Sequence, residues 1–189
     1  MFDFKDYFEF SEKMIKGELR VTPLDDYFIN EYDFLACKED PFEEPVFVRH
    51  MGARVYDVIP SSYPGIYLIS RKFVNVLETN NFTGWKTYSA RVYDKENKRV
   101  KDYYGFRICG KCGPHIESMS KDVMVEFPAG EFPGKKGLFF DPKTYDGSDI
   151  FLLKKSTHII MHYKVKNALE KANITNAEFV NITEYTYSW

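Results

Sequence analysis

The sequence predicts an α+β fold: a mixed, largely antiparallel sheet with short helices packed on it, containing two related strand–helix–turn–strand units. Three observations predict it. The first is an internal repeat. IYLISRKFVNVLETNNFTGWKTYSAR, near residues 66–91, aligns without a gap on HIIMHYKVKNALEKANITNAEFVNIT, near residues 158–183. Lys72 then meets Lys164, Asn75 meets Asn167, Leu77 meets Leu169, Glu78 meets Glu170, Asn81 meets Asn173 and Thr83 meets Thr175. The second is the aromatic content, 17 Phe and 14 Tyr, which suits pleated, half-buried surfaces. The third is helix length: each repeat helix has only about ten residues, too few to be stable alone in water, so it must pack on a sheet.

Taken in order, residues 1–45 read two ways. Phe2, Phe4, Phe8 and Phe10 suggest alternation, whereas Phe4, Phe8, Met14 and Ile15 suggest a helix face. Residues 38–45, acidic with two prolines, read as an exposed connection. Residues 46–59 read as a hairpin turning at Gly52, and 60–65 as a loop. In the first unit a strand leads to Ser70, whose hydroxyl can cap a helix with the stripe Phe73, Val76, Leu77 and Val74. The chain then reverses over residues 81–85. Gly84 aligns with Asn176, and these two residue types most readily take positive φ. That predicts a left-handed turn position and a high cost for a β-branched residue at Gly84.

Residues 85–93 read as a strand, 94–101 as a polar hairpin tip and 102–108 as the returning strand. Strand character reappears at 123–127, followed by a Gly/Pro-rich loop at 128–136 and a short strand at 137–141. A turn at 145–149 feeds residues 150–153. The second helix carries the stripe Val165, Ala168, Leu169 and Ala172, and the last strand covers about residues 178–187.

The 189 residues read as a single domain, with an acidic segment at 1–45 and the two repeat units within 46–189. At this size a chain buries roughly 70% of the surface it exposes when unfolded, enough to fold without a disulfide or metal. Net charge is −2, so nucleic acid is not an expected partner. The charge is uneven: residues 1–45 hold 13 Asp or Glu against 5 Lys or Arg, and the remainder 15 against 21. Such asymmetry can steer a charged partner, although an acidic face can also be merely solvated. The start, MFDFKDYFEF, lacks the pattern of a secretory signal, and no apolar run approaches the ~20 residues of a membrane span. A cytoplasmic protein is the expectation.

Three motifs could carry chemistry. Cys109-Gly-Lys-Cys112-Gly could supply two zinc thiolates, with His115 and Cys37 completing a tetrahedron. One such pair is a weak signal, and two reduced cysteines in a Gly-rich turn is the expected state. Three cysteines without a framework argue against a disulfide-stapled domain. Asp141, Asp146 and Asp149 could serve a hydrolase, but their spacing suits turns and caps better. His50, His115, His158 and His162 show no pairing with a nucleophile, although His162 falls where Ser70 caps the first unit. No catalytic, cofactor or metal residue is assigned, and no residue is assigned to partner binding.

The pattern YLISRKFVNVLETNNFTGW, then DYYGFRICGKCG, then KTYDGSDIFLL and a closing VKNALEKANITNAEFVNI resembles the bacterial polymorphic-toxin immunity family numbered eleven. The resemblance covers residues 46 to the C-terminus, and residues 1–45 lie outside it. The CxxCG element is also similar to one half of a related double-CxxCG group, whose other half this chain lacks. The resemblance implies a cytoplasmic, non-enzymatic protein without a cofactor, which binds and neutralises a cognate toxin domain. It carries over no catalytic residue. On that reading Glu39, Asp40, Glu43 and Glu44 are candidates for steering a basic toxin.

Overall fold

A computed structural model describes residues 2–24, 31–38, 40, 43–127 and 130–188. The first strands are β1 (Tyr7–Ser11), β2 (Arg20–Pro23), β3 (Val46–Met51), β4 (Val58–Pro60) and β5 (Tyr67–Ser70), with helix α1 (Glu31–Leu35) between β2 and β3. Helix α2 (Arg71–Thr79) leads to β6 (Trp85–Ser89), β7 (Arg91–Tyr93), β8 (Arg99–Val100), β9 (Tyr103–Ile108) and β10 (Gly110–Lys111). A hairpin of β11 (Lys121–Phe127) and β12 (Gly130–Lys136) precedes β13 (Ile150–Leu152) and β14 (Ile159–His162). Helix α3 (Tyr163–Lys171), β15 (Glu178–Asn181) and β16 (Thr186–Ser188) end the chain.

The repeat is real in three dimensions, and it is longer than its sequence signature. One sheet has the order β4-β5-β9-β6, and another has β13-β14-β1-β15 with β10 at its edge. In each, a strand, a helix and a second strand form a parallel pair, split by an antiparallel strand from elsewhere in the chain: β9 in the first unit, β1 in the second. The inserted strand satisfies the facing ladders of both neighbours, which a short βαβ unit alone would leave open.

The helix ends explain the shared residues. The Ser70 hydroxyl accepts the Phe73 N–H at 3.2 Å, and His162 Nδ1 accepts from the Lys164 N–H at 3.5 Å. At the C-termini, Asn81 (φ 53°) and Asn173 (φ 51°) are left-handed. Phe82 N–H reaches back to Leu77 C=O and Ile174 N–H to Leu169 C=O, both at 3.1 Å, while Asn81 and Asn173 N–H bond Glu78 and Glu170 C=O. This is one Schellman motif made twice.

Beyond each helix the two units clasp each other. Asp149 Oδ2 accepts from Thr83 N–H and hydroxyl, both at 2.9 Å, and Thr83 Oγ1 accepts the Asp149 N–H at 3.1 Å. The second unit returns the arrangement. Asp57 Oδ2 accepts from Thr175 N–H at 2.9 Å and its hydroxyl at 2.8 Å, and Thr175 Oγ1 accepts the Asp57 N–H at 2.9 Å. Asp57 and Asp149 stand in the register that pairs Leu77 with Leu169, so each unit begins before the segment that the alignment detects. Burial alone would raise the Asp57 pKa. Hydrogen bonds from the Ser70 hydroxyl and from Thr175, with Lys72 nearby, outweigh it and hold the carboxyl below its usual range.

Three apolar clusters fill the layers. The first lies between both helices and both unit sheets and holds Phe10, Phe73, Leu77, Phe106, Val165 and Leu169. The second packs the β2-β3-β7-β8 sheet against the first unit through Leu19, Val21, Phe47, Ile59, Leu68 and Val92. The third covers the other face of the second unit with Tyr7, Leu138, Phe140, Phe151, Ile160 and Ile182.

Several expectations are corrected. Residues 46–59 form no hairpin: β3 pairs with β2 and β7, while β4 joins β5 in another sheet. Gly52 (φ 64°) serves a close approach instead, since a Cβ there would sit 1.5 Å from Glu18 C=O. Residues 85–93 divide at Ala90 between two sheets. The expected loop at 128–136 contains β12, and Pro133 lies outside the stretch Gly134–Lys136 where β16 adds a third strand. The expected strand at 137–141 has no ladder; Gly137 and Leu138 N–H bond Tyr185 and Ile182 C=O singly. Residues 178–187 break into β15 and β16.

Gly84 (φ 89°) and Asn176 (φ 61°) are both left-handed, as the alignment predicts. Gly84 carries a second constraint: a Cβ there would lie 1.9 Å from Ile150 C=O. Gly84→Val is expected to cost at least about 3 kcal/mol in urea unfolding. Asn176→Gly should lose only about 1 kcal/mol, for the bond from its side-chain amide to Val58 C=O. Because the Asp57 pKa is depressed, its clasp stabilises above the ordinary carboxylate range and fades as pH falls through the folded pKa. Asp57→Asn is therefore expected to cost about 2 kcal/mol at neutral pH and less in strong acid, measured by urea titrations at both pH values.

Candidate functional site

The sulfur chemistry departs from expectation. Cys37 and Cys109 form a disulfide across 72 positions, with Cα atoms 5.2 Å apart, so the expected reduced pair at Cys109 and Cys112 is corrected. Packing of α1 brings the partners together. Phe34, Leu35 and Ala36 are buried, Arg107 Nε donates to Phe34 C=O at 2.7 Å, and Arg107 Nη1 meets Asp40 at 2.5 Å. Cys112 is buried with its sulfur 3.7 Å from Thr144 Oγ1, and burial pushes its thiol pKa up. His115 turns to Ser120 at 3.0 Å and to the Tyr187 hydroxyl. The four residues considered for zinc thus do not converge. Among the described residues no group of three or more His, Cys, Asp or Glu is placed to hold a metal.

The three aspartates of residues 141–149 act locally. Asp141 caps a short 3-10 helix through the Lys143 N–H, Asp146 accepts from the Lys111 and Ser148 N–H groups, and Asp149 belongs to the unit clasp. His50 is exposed on β3, His158 lies beside Glu9, and His162 caps α3.

The acidic segment is divided. Asp40 bridges to Arg107 and Glu44 to Arg91, while Glu43 is exposed and Glu39 lies outside the described residues. Two other carboxylates of that segment, Glu9 and Glu18, turn inward, while Asp3 stays exposed. Glu9 and Glu18 are each only 5% exposed. Arg20 Nη2 meets Glu12 at 2.9 Å and Arg20 Nε meets Glu18 at 2.8 Å, while the Tyr67 hydroxyl donates to Glu12 Oε2 at 2.8 Å. Glu9, Glu12, Arg20, Tyr67, His158 and Tyr185 line a cavity of about 380 Å³. A second concavity of about 630 Å³ lies between α2 and α3, floored by Val76, Ala168 and Ala172 and edged by Lys72 and Lys171.

These features define a scaffold whose polar groups are spent largely on its own turns and ion pairs. Its class follows from comparison: residues 19–184 match an immunity protein family. The match spans most of the chain, and the protein belongs to that family, Imm11. It begins well before residue 46, where the sequence resemblance was expected to start. No curated relative matches the sequence. No helix of the described residues is long and apolar enough to cross a membrane.

The disulfide is checked by thiol counting. Unfolded, unreduced protein should show one reactive thiol, and reduced protein three. Cys37→Ser with Cys109→Ser should lower stability by about 2–4 kcal/mol relative to the oxidised parent.

Proposed function

We propose that the protein binds a cognate toxin domain and neutralises it as a stoichiometric complex, without catalysis. Family membership over residues 19–184 carries this reading. Consistent with it, the three aspartates and His162 that sequence offered for chemistry serve turns, caps and the clasp between units. The toxin would be a basic protein. The acidic excess of residues 1–45 favours such a partner, and charge of one sign raises the association rate with a partner of the other. Expected surfaces are the mouth of the cavity lined by Glu9 and Glu12 and the exposed apolar side chains near it, Met14 and Met51.

Co-expression tests this reading. The protein should rescue cells from the toxin domain encoded beside its gene, and the purified pair should run as one complex of fixed stoichiometry. Absence of both rescue and complex would sink the proposal. Association should also slow as salt rises, and a salt-independent rate would remove the electrostatic part.

A further inference from the structure

Glu9 is out of place for a structural residue. It lies in the middle of β1, in register with Ile160 on one side and Val180 on the other. It shares the face of Tyr7, which belongs to an apolar cluster, yet it is a carboxylate with 5% exposure. Oε1 is 3.4 Å from His158 Nδ1. Oε2 is buried with no hydrogen-bond partner among the described residues. An acceptor left open in this way destabilises a fold, and an ionised one does so more strongly. Retaining it is intelligible if something else supplies the donor.

The cavity that Glu9 lines specifies the donor's chemistry. Among the described residues its lining holds the carboxylates of Glu9 and Glu12 and one permanent cation, Arg20, whose charge is shared with Glu18 outside the lining. The site is short of positive charge. A divalent metal fits poorly, because Arg20 already stands between Glu12 and Glu18 and opposes it. Tyr67 and Tyr185 also line the cavity, and Tyr185 packs edge-on against His158 at 5.2 Å. A guanidinium matches this set: it is planar, always charged, stacks on aromatic faces and offers five donors to carboxylates. Arg20 already uses that chemistry with Glu12 in the lining and with Glu18 beside it. We propose that the Glu9 cavity receives a guanidinium group, the side chain of an arginine on a protein partner, with the Glu9 carboxylate as its principal acceptor. As a contact in a toxin complex this rests on the immunity reading; as a guanidinium site it does not.

The test uses the whole chain and small probes. N-acetyl-arginine methylamide is titrated by NMR, following the ring signals of Tyr67, Tyr185 and His158, beside the neutral isostere N-acetyl-citrulline methylamide and free arginine. Saturable shifts with the arginine probe, at least about tenfold weaker with citrulline, are expected. Glu9→Gln should weaken the arginine probe by at least about tenfold and raise the melting temperature by about 2–4 °C, because a buried charge is removed. A purely structural Glu9 would not give that opposed pair of effects. No saturable shift, or equal binding of citrulline, would overturn the proposal without any variant having to fold. So would unchanged affinity in a folded Glu9→Gln. Free arginine binding more tightly than the capped probe would assign the site to a small molecule and overturn the side-chain source. None of these arms contains a toxin, so their failure leaves the rescue experiment untouched, and failed rescue leaves them untouched.

Discussion

The reciprocal clasp of Asp57 with Thr175 and Asp149 with Thr83 is the interaction on which the architecture depends. Each clasp joins the turn after one unit's helix to the residue that opens the other unit. Each carboxylate receives a backbone N–H and a hydroxyl, and returns its own N–H to the same threonine. Charge-assisted bonds of this kind are stronger than neutral ones, and neither set can form without the other unit in place. The two small helices, each too short to persist alone, are thereby fixed against a common core.

Around that constraint the chain is arranged economically. Each unit lends a parallel strand pair: β9, which follows the first unit closely in sequence, completes one, and the distant β1 completes the other. Phe10 on β1 and Phe106 on β9 enter the shared core from these inserted strands. The acidic N-terminal segment is accordingly part of the scaffold, since β1 runs through the middle of the second unit's sheet. Its charge is also sorted by depth. Asp40 and Glu44 stay near the surface beside arginines, while Glu9 and Glu18 are carried inward. Among the described residues, part of a charge excess that looks uniform along the sequence therefore becomes a partly neutralised edge, and part lines a cavity with Arg20.

Much of the fold was legible because its cues are local. Ser70, the helical stripes, Asn81 with Asn173 and Gly84 with Asn176 act within a few residues of themselves, and all behave as their types predict. The family signature is built from the same positions, so membership was legible too. The failures have different causes. Gly52 looked like a hairpin turn because its true reason, the approach of Glu18, lies far back in the chain. The stretch 128–136 looked like a loop because its glycines and prolines outweighed a pairing with β11 that no local pattern announces.

What the sequence determined by itself is the repeat, the caps and turns within each copy, the α+β class and the acidic imbalance. These depend on side-chain type and short spacing. Tertiary structure alone decided that β1 entered the second unit's gap, that Cys37 rather than Cys112 meets Cys109, and that Glu9 lies buried with one oxygen unanswered. Those outcomes depend on distances between residues far apart in the chain, and such distances are set only when the units close on each other.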